Sequence, residues 1–447
     1  MSRTAVLEYQ LRDFYWEHPS LQYLYSAAAT SGAWTLNLVG HRYGAMLQYC
    51  SAARRVRPNW LREARLRSFT RFLGDFTNGA APRTLADNPF AQQFLHTAEA
   101  AQHRAHLRTL SREERLSMRG NLIVLKNPGL NERGVLLLQY THVFGRFLVN
   151  YDVRKLSQRF SIVLEPSWLP YPDPYWAMFS CRETPVVSEL MNEAAAEALH
   201  RSELPLIPLS LGAQDWINPD DFRPMPGVKK DYDLVMIASF APFKRHYVVF
   251  EAMRRLRPRR LRLALVGGTW QRTRAEMDAE IRSYGLQDDV DVYQGLSAAQ
   301  INDLLNRSKY NVLFSKVEGG NRALMEGFAA GTPCIVYKHI FGPRHADINE
   351  HTGYLADDHE LVSLLPQALE QYEKFRAREW FVEHTGCYNA TRKLNAVLQE
   401  EAQRRSENWT SDIVCKVNRN DLVYRDPSDA ARMKPGWDEL QEALTTL

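Results

Sequence analysis

Between residues 234 and 338 the chain repeats one device: a short apolar run, an amphipathic stretch long enough for a helix, then another apolar run. "LVMIASF" is followed by "YVVFEAMRRL", "LRLALVGG" by "RAEMDAEIRSYG", "VDVYQG" by "SAAQINDLLNRS" and "YNVLFS" by "RALMEGFAAG", and "PCIVYK" closes the series. The short runs are rich in β-branched and aromatic residues, and the longer ones repeat apolar residues at helical spacing. Parallel strands need a crossover of about a dozen residues, usually a helix, so this alternation points to a doubly wound parallel sheet. Five strands and four helices are expected there. Ligands of such sheets sit at the carboxyl ends of the strands, which directs the functional reading to those loops.

A less regular version precedes it. "GVLLLQY" (134–140), "FSIVLEPS" (160–167) and "LPLIPLS" (204–210) read as strands with helical stretches between them. Residues 212–233, "GAQDWINPDDFRPMPGVKKDYD", hold turn-forming Pro and Gly and few apolar residues, as a linker does. A chain of 447 residues also exceeds what one hydrophobic core normally holds. The expected division is a mostly helical region at 1–120, a first Rossmann-like α/β domain at 121–215, a second at 216–385, and C-terminal helices at 386–447 that return to the first.

Composition narrows the class. A hydrophobic fraction of 45% and a charged fraction of 24% suit a globular protein, and a net charge of +4 is too mild to make nucleic acid a partner. Five widely spaced cysteines (Cys50, Cys181, Cys334, Cys387, Cys415) lack metal-ligand spacing and read as reduced thiols of a cytoplasmic protein. The N-terminus lacks a signal-peptide layout, and the apolar stretch at 24–40 is too short and polar to span a bilayer. Charge is uneven: residues 1–120 carry +7, with sixteen arginines and no lysine, and the remainder carries −3. The excess peaks at 54–74, "RRVRPNWLREARLRSFTRFLG", where Leu66, Phe69 and Leu73 recur at helical spacing. That is an amphipathic helix packed on its own protein or a peripheral contact with an anionic membrane.

The stretch "VEGGNRALMEGFAAGTPCIVY" (317–337) concentrates chemistry at one strand end. Glu318 follows strand "YNVLFS", Gly319 and Gly320 leave room for close approach, and Asn321, Arg322 and Ala323 open a helix whose amino end favours an anion. Glu326 lies about a turn further on, where a carboxylate accepts hydrogen bonds from a vicinal diol such as a ribose. Two glutamates eight residues apart are common by chance, and only their embedding between strand, Gly-Gly, helix and strand gives them weight.

That embedding resembles the signature of family 4 glycosyltransferases, the group 1 retaining enzymes of GT-B fold. Glu318, Glu326, Gly331 and Pro333 fall on its pattern of Glu, seven residues, Glu, then Gly-x-Pro. "SLGAQDWINPDDFRP", "LALVGG", "VDVYQGLSAAQINDLLNRSKYNVLFSKVEGG" and "INEHTGYLADD" resemble family segments in the same order. The resemblance covers residues 205–370 well, 130–205 loosely and the first 120 hardly at all. It implies two Rossmann-like domains facing a central cleft, with Glu318 holding a hexose and Glu326 the ribose of a nucleotide-diphosphate sugar. Of the family's Arg and Lys that bind the diphosphate, Lys244 matches the lysine, Ser239 stands at the arginine, and Arg245 is the candidate substitute.

The resemblance also implies a nucleobase near backbone groups of Tyr293 and Gln294, UDP or GDP left open, and a diphosphate beside a glycine loop at Gly145. His142 and Arg344 are candidates for the acceptor side, and "PSWLPYPDPYW" (166–176) would line an acceptor cleft or form a rigid loop. No Asp-x-Asp placed to hold a metal is found, and no cofactor is implied beyond the donor. The implied activity is metal-independent transfer of a hexose, with retention, to a glycan or lipid-linked acceptor in envelope polysaccharide assembly. The alternatives are a catalytically silent nucleotide-sugar or glycan-binding protein, or another GT-B enzyme such as an epimerase or phosphorylase.

Overall fold

The computed structural model describes residues 14–15, 18–56, 58–76, 80–166, 171–191, 193–419 and 421–446. The chain forms two compact units, Gln214–Ala390 on one side and Asp13–Ala213 with Thr391–Leu447 on the other. The helical N-terminal region is therefore part of the same unit as the first sheet rather than a body of its own.

That unit begins with helices Pro19–Leu38, Arg42–Arg54 and Asn59–Phe76. In the third, Leu61, Leu66, Phe69, Phe72 and Leu73 are buried at helical spacing. Two of its arginines also turn inward: Arg62 donates to Val56 O at 2.8 and 3.1 Å, and Arg65 donates to Ser26 Oγ at 2.7 Å. The basic helix is thus packed on its own protein.

Five strands follow: β1 (Leu122–Lys126), β2 (Gly134–Gln139), β3 (Phe160–Glu165), β4 (Val186–Glu189) and β5 (Ile207–Leu209), adjacent in that order. β1 pairs antiparallel with β2, and the other pairs are parallel. β1 and β4 were not expected; runs of five and four residues are too short for a period to show. Every residue of β2 and β3 is buried, as in parallel sheets covered on both faces. In the aromatic loop, residues 167–170 lie outside the described residues, and Tyr171, Tyr175 and Trp176 are core residues rather than a cleft lining.

The C-terminal tail is not all helix. After helix Cys387–Arg404 it forms an antiparallel hairpin of Lys416–Asn418 and Leu422–Tyr424, then helices Asp429–Arg432 and Lys434–Glu442. Among the described residues no helix is long and apolar enough to cross a membrane.

The second unit holds β6 (Tyr232–Ile237), β7 (Leu263–Val266), β8 (Val290–Tyr293), β9 (Ser308–Leu313), β10 (Cys334–Tyr337) and β11 (Gly353–Ala356). All pairs are parallel, and the order is β11-β10-β9-β6-β7-β8. Six strands stand where five were expected; the added edge strand β11 lies in "INEHTGYLADD", whose turn residues mask four strand positions. Residues alternate between the two faces. Leu234, Met236, Leu263 and Leu265 pack in one core, and Val235, Ala264, Cys334 and Val336 in the other. The order reverses between β6 and β9, the switch point where ligands of such sheets bind.

Candidate functional site

Two chain segments leave the sheet at the switch point. After β6 a turn at Pro242–Lys244 leads to Arg245, whose φ of 57° is left-handed, and then to helix His246–Arg255. After β9 the chain runs through Glu318 to Asn321, whose side chain caps helix Arg322–Ala329 by accepting from Leu324 N at 3.1 Å. That helix is fixed to the sheet by Asn311 of β9, which donates to Ala323 O at 2.7 Å. Leu324, Met325 and Phe328 form its buried face.

The structure brings Lys244 and Glu318 together: Nζ lies 2.6 and 2.8 Å from the two carboxylate oxygens, with the side chains 13% and 7% exposed. Glu326 is buried one helical turn behind the cap. Burial raises its pKa and the Arg322 guanidinium, 3.5 Å away, opposes that rise. A buried carboxylate with one distant cation is costly, and hydroxyl donors would offset the cost.

Glu318 is held from behind. Its N–H donates to Phe341 O, and Phe341 N–H donates to Lys316 O, both at 2.9 Å, tying the loop after β9 to the loop after β10. Gly342, at φ 128°, lies against the Glu318 carbonyl so closely that any Cβ would collide with it. The next residues explain Arg344. Its guanidinium donates to Asp347 Oδ2 at 2.9 Å and to both Asp215 oxygens at 2.5 and 3.1 Å, and Thr385 also donates to Asp215 at 2.7 Å. Burial works against this charge, and the two carboxylates outweigh it and raise the pKa. Arg344 braces the loop behind Glu318 through Asp347 and Asp215.

Arg245 also differs from expectation. It is 4% exposed, donates to Phe314 O at 3.0 Å and Tyr247 Oη at 3.1 Å, pairs with Asp358, and lies 5.0 Å from the Tyr337 ring. Burial lowers its pKa, and Asp358 and Tyr247 more than offset that. A guanidinium so engaged is a structural post rather than a substitute for the arginine replaced by Ser239. Gly320 packs against the Gln214 side chain, where a Cβ would clash, so its small size serves the protein's own packing.

Tyr293 ends β8, the sheet's edge strand, and Gln294 follows it. The Tyr293 carbonyl already accepts from Gly267 N–H at 3.0 Å, its hydroxyl lies 2.7 Å from that of Tyr232, and Gln294 donates to Thr269 at 3.2 Å. In the other unit, Gly145 is in helix Thr141–Asn150 instead of a loop, with Phe94 placed 2.7 Å from where a Cβ would sit. His142 opens that helix and stacks on Tyr140 at 5.8 Å; burial lowers its pKa, with Arg146 and His103 adding to the effect.

Sequence reasoning passed over His246. It is fully buried beside Phe240 and Phe250. Burial pushes its pKa down to about 3, and the Arg272 and Lys244 charges act in the same direction. A lone histidine after a strand carries no sequence signal. Among the described residues Asp357, His359 and Glu360 form a cluster of metal-ligand type, but the Lys338 ammonium lies 2.6 Å from Asp357 and 3.1 Å from Glu360 and already neutralises it.

Residues 219–379 match the family model of glycosyl transferases group 1. Comparison with curated proteins gives no match. Similar solved structures include a Staphylococcus aureus TarM variant in complex with Fondaparinux, alpha-GlcNAc-glycerol and UDP, at 13% identity and TM-score 0.43, covering 57% of this chain and 53% of that one. Anabaena HepE in complex with UDP aligns at 15% identity and TM-score 0.43, covering 56% of this chain and 72% of that one. Sucrose-phosphate synthase from Thermosynechococcus elongatus aligns at 17% identity and TM-score 0.46, covering 61% and 73%. The chain spans about half the length of the TarM it matches.

Proposed function

We propose that the protein is a retaining, metal-independent hexosyltransferase of the family 4 kind, moving a sugar from a nucleotide diphosphate to a hydroxyl of a glycan or lipid-linked acceptor. The observation that carries this is the Lys244–Glu318 pair at the switch point, in front of a capped helix that buries Glu326. On donor binding Lys244 turns to the diphosphate and Glu318 to sugar hydroxyls, so each charge exchanges its present partner for substrate. Lys244 and the amino end of helix Arg322–Ala329 then stabilise the charge developing on the leaving diphosphate. The departing oxygen accepts the proton of the acceptor hydroxyl on the same face, the C–O bond to the diphosphate breaks, and the new glycosidic bond forms. Glu326 accepts hydrogen bonds from the ribose diol. We place this reaction in the cytoplasm, at a peripheral membrane position, in envelope polysaccharide or lipid-linked glycan assembly.

A second reading rests on one observation: Ser239 stands at the expected arginine, and Arg245 is committed to Asp358 and Phe314. With one diphosphate cation fewer, the site would bind a nucleotide sugar without cleaving it. Calorimetry with UDP, GDP, ADP and their sugar conjugates, with and without divalent metal, tests both. One nucleotide series should bind without metal, and Glu326→Gln should weaken it by about 1–3 kcal/mol through loss of a buried acceptor. Binding without transfer or slow donor hydrolysis selects the silent protein, and no binding at all removes the donor site.

A further inference from the structure

Helix Pro19–Leu38 is built inside out. The residues it turns to the protein are Gln22, Ser26, Ala29 and Ala33, polar or small. Those it turns to solvent include Tyr23, Leu24, Trp34 and Leu38, with Leu24 63% and Trp34 59% exposed. Val39 and Leu47, in the turn and the next helix, extend the apolar face. Between this helix and Gln48 of Arg42–Arg54 runs an open groove of about 540 Å³, lined on the first helix by Tyr25, Ala28, Ala29, Gly32, Thr35 and Leu36. Single exposed apolar residues are ordinary, but several along one helix mark an interaction surface.

Charge identifies the partner. From residue 18 to residue 62 there is no Asp or Glu, whereas Arg42, Arg55 and Arg57 are present, beside Arg54, which lies 3.4 Å from Asp173, and the buried Arg62. Arg55 lies 5.2 Å from the Tyr25 ring, which places a cation beside the first helix. A second copy of this chain docking through the same face would set arginine against arginine with no carboxylate from these helices to pair them. An anionic phospholipid surface supplies both what the apolar residues and what the arginines lack: acyl chains and phosphates.

We propose that the helical hairpin 19–54 lies in the interface of an anionic membrane, with Leu24, Trp34 and Leu38 entering the acyl boundary, the groove receiving an acyl chain, and Arg55 at headgroup level. This moves the membrane contact from the basic helix Asn59–Phe76, whose Arg62 and Arg65 are used internally, to the hairpin before it, made of the uncharged helix Pro19–Leu38 and helix Arg42–Arg54. It does not depend on the transferase reading, because it needs no donor.

Flotation of the full chain with phosphatidylglycerol–phosphatidylcholine vesicles, and with phosphatidylcholine alone, tests it. The chain should float with the anionic vesicles and be released by salt. Trp34→Ser with Leu38→Ser should cut partitioning by at least about tenfold, since both side chains bury apolar area in lipid. Arg67→Glu with Arg71→Glu on the third helix should cut it less. Unchanged far-UV dichroism and nucleotide binding show that each variant is folded. Three results would overturn the proposal: no flotation of the wild type, flotation unaffected by the Trp34/Leu38 pair, or a dimer in sedimentation velocity that this pair dissolves.

Discussion

Both sheets set a lysine against a glutamate at their carboxyl edge, and the two pairs live in different worlds. In the first unit Gln139 and Glu165 end β2 and β3 in register, and Lys416 of the C-terminal hairpin reaches Glu165 at 2.6 Å. Both side chains of that pair are 0% exposed. Gln139 donates to Glu165 at 2.7 Å, and Asn418 at 2.9 Å, so the hairpin closes that edge with a buried polar network around the carboxylate. In the second unit Lys244 meets Glu318 at the same 2.6 Å, but the pair lies in a loop region and retains solvent access. The same two residue types are sealed from water in one unit and keep some access to it in the other.

The hardest way to break this comparison is to open the sealed edge. Lys416→Met leaves the Glu165 carboxylate buried without its cation and should cost about 3–5 kcal/mol in urea unfolding. Glu165→Gln combined with Lys416→Met removes both charges and should restore most of that loss. A cost well under about 1 kcal/mol for the single change would mean that solvent reaches the edge, and the contrast would fail. Nucleotide binding by the other unit should persist wherever Lys416→Met remains folded.

Opening the reachable pair should act on turnover instead. Lys244→Ala should lower kcat by about 10²–10³-fold, or about 2.7–4 kcal/mol, if the ammonium meets charge that develops in the transition state. Urea unfolding should move far less than for Lys416→Met, because Glu318 keeps some access to water. A drop in donor affinity with no change in kcat would place Lys244 in ground-state binding only.

Much of the second sheet was legible because each strand is followed by a long amphipathic stretch, and two periods side by side leave little ambiguity. β11 was not, since Gly353 and its flanking turn residues hide a four-residue edge strand. The pairing of Lys244 with Glu318 follows from topology: strands distant in sequence, β6 and β9, are neighbours at the switch point. Arg245 and Arg344 show the limit. A basic residue after a strand reads as a ligand contact until its partners are known, and Asp358 and Asp215 lie 113 and 129 positions away in the chain. Gly145, expected in a loop, lies in a helix, and its need for space comes from Phe94 in a region with no recognisable pattern.

The subtlest contrast concerns acid. Lys416 and Glu165 are mutually neutralised, whereas His246, near Lys244 and Arg272, is kept neutral with its pKa near 3 against an ordinary 6.5. Between those values the unfolded chain binds a proton that the folded chain refuses. Stability is therefore fully present above about pH 6.5 and falls as pH drops, by about 1.4 kcal/mol per pH unit until the folded pKa is reached. From pH 7 to about pH 5 the histidine alone should cost about 2 kcal/mol. His246→Phe, an apolar ring between Phe240 and Phe250, should flatten that limb of the curve while leaving stability at neutral pH within about 1.5 kcal/mol. The measurement is the difference between wild-type and variant urea unfolding across pH, which cancels the titration of the other groups. A difference that stays constant down to about pH 4 would mean that His246 is protonated in the folded state, and then the lysine beside it could not rest on Glu318 alone.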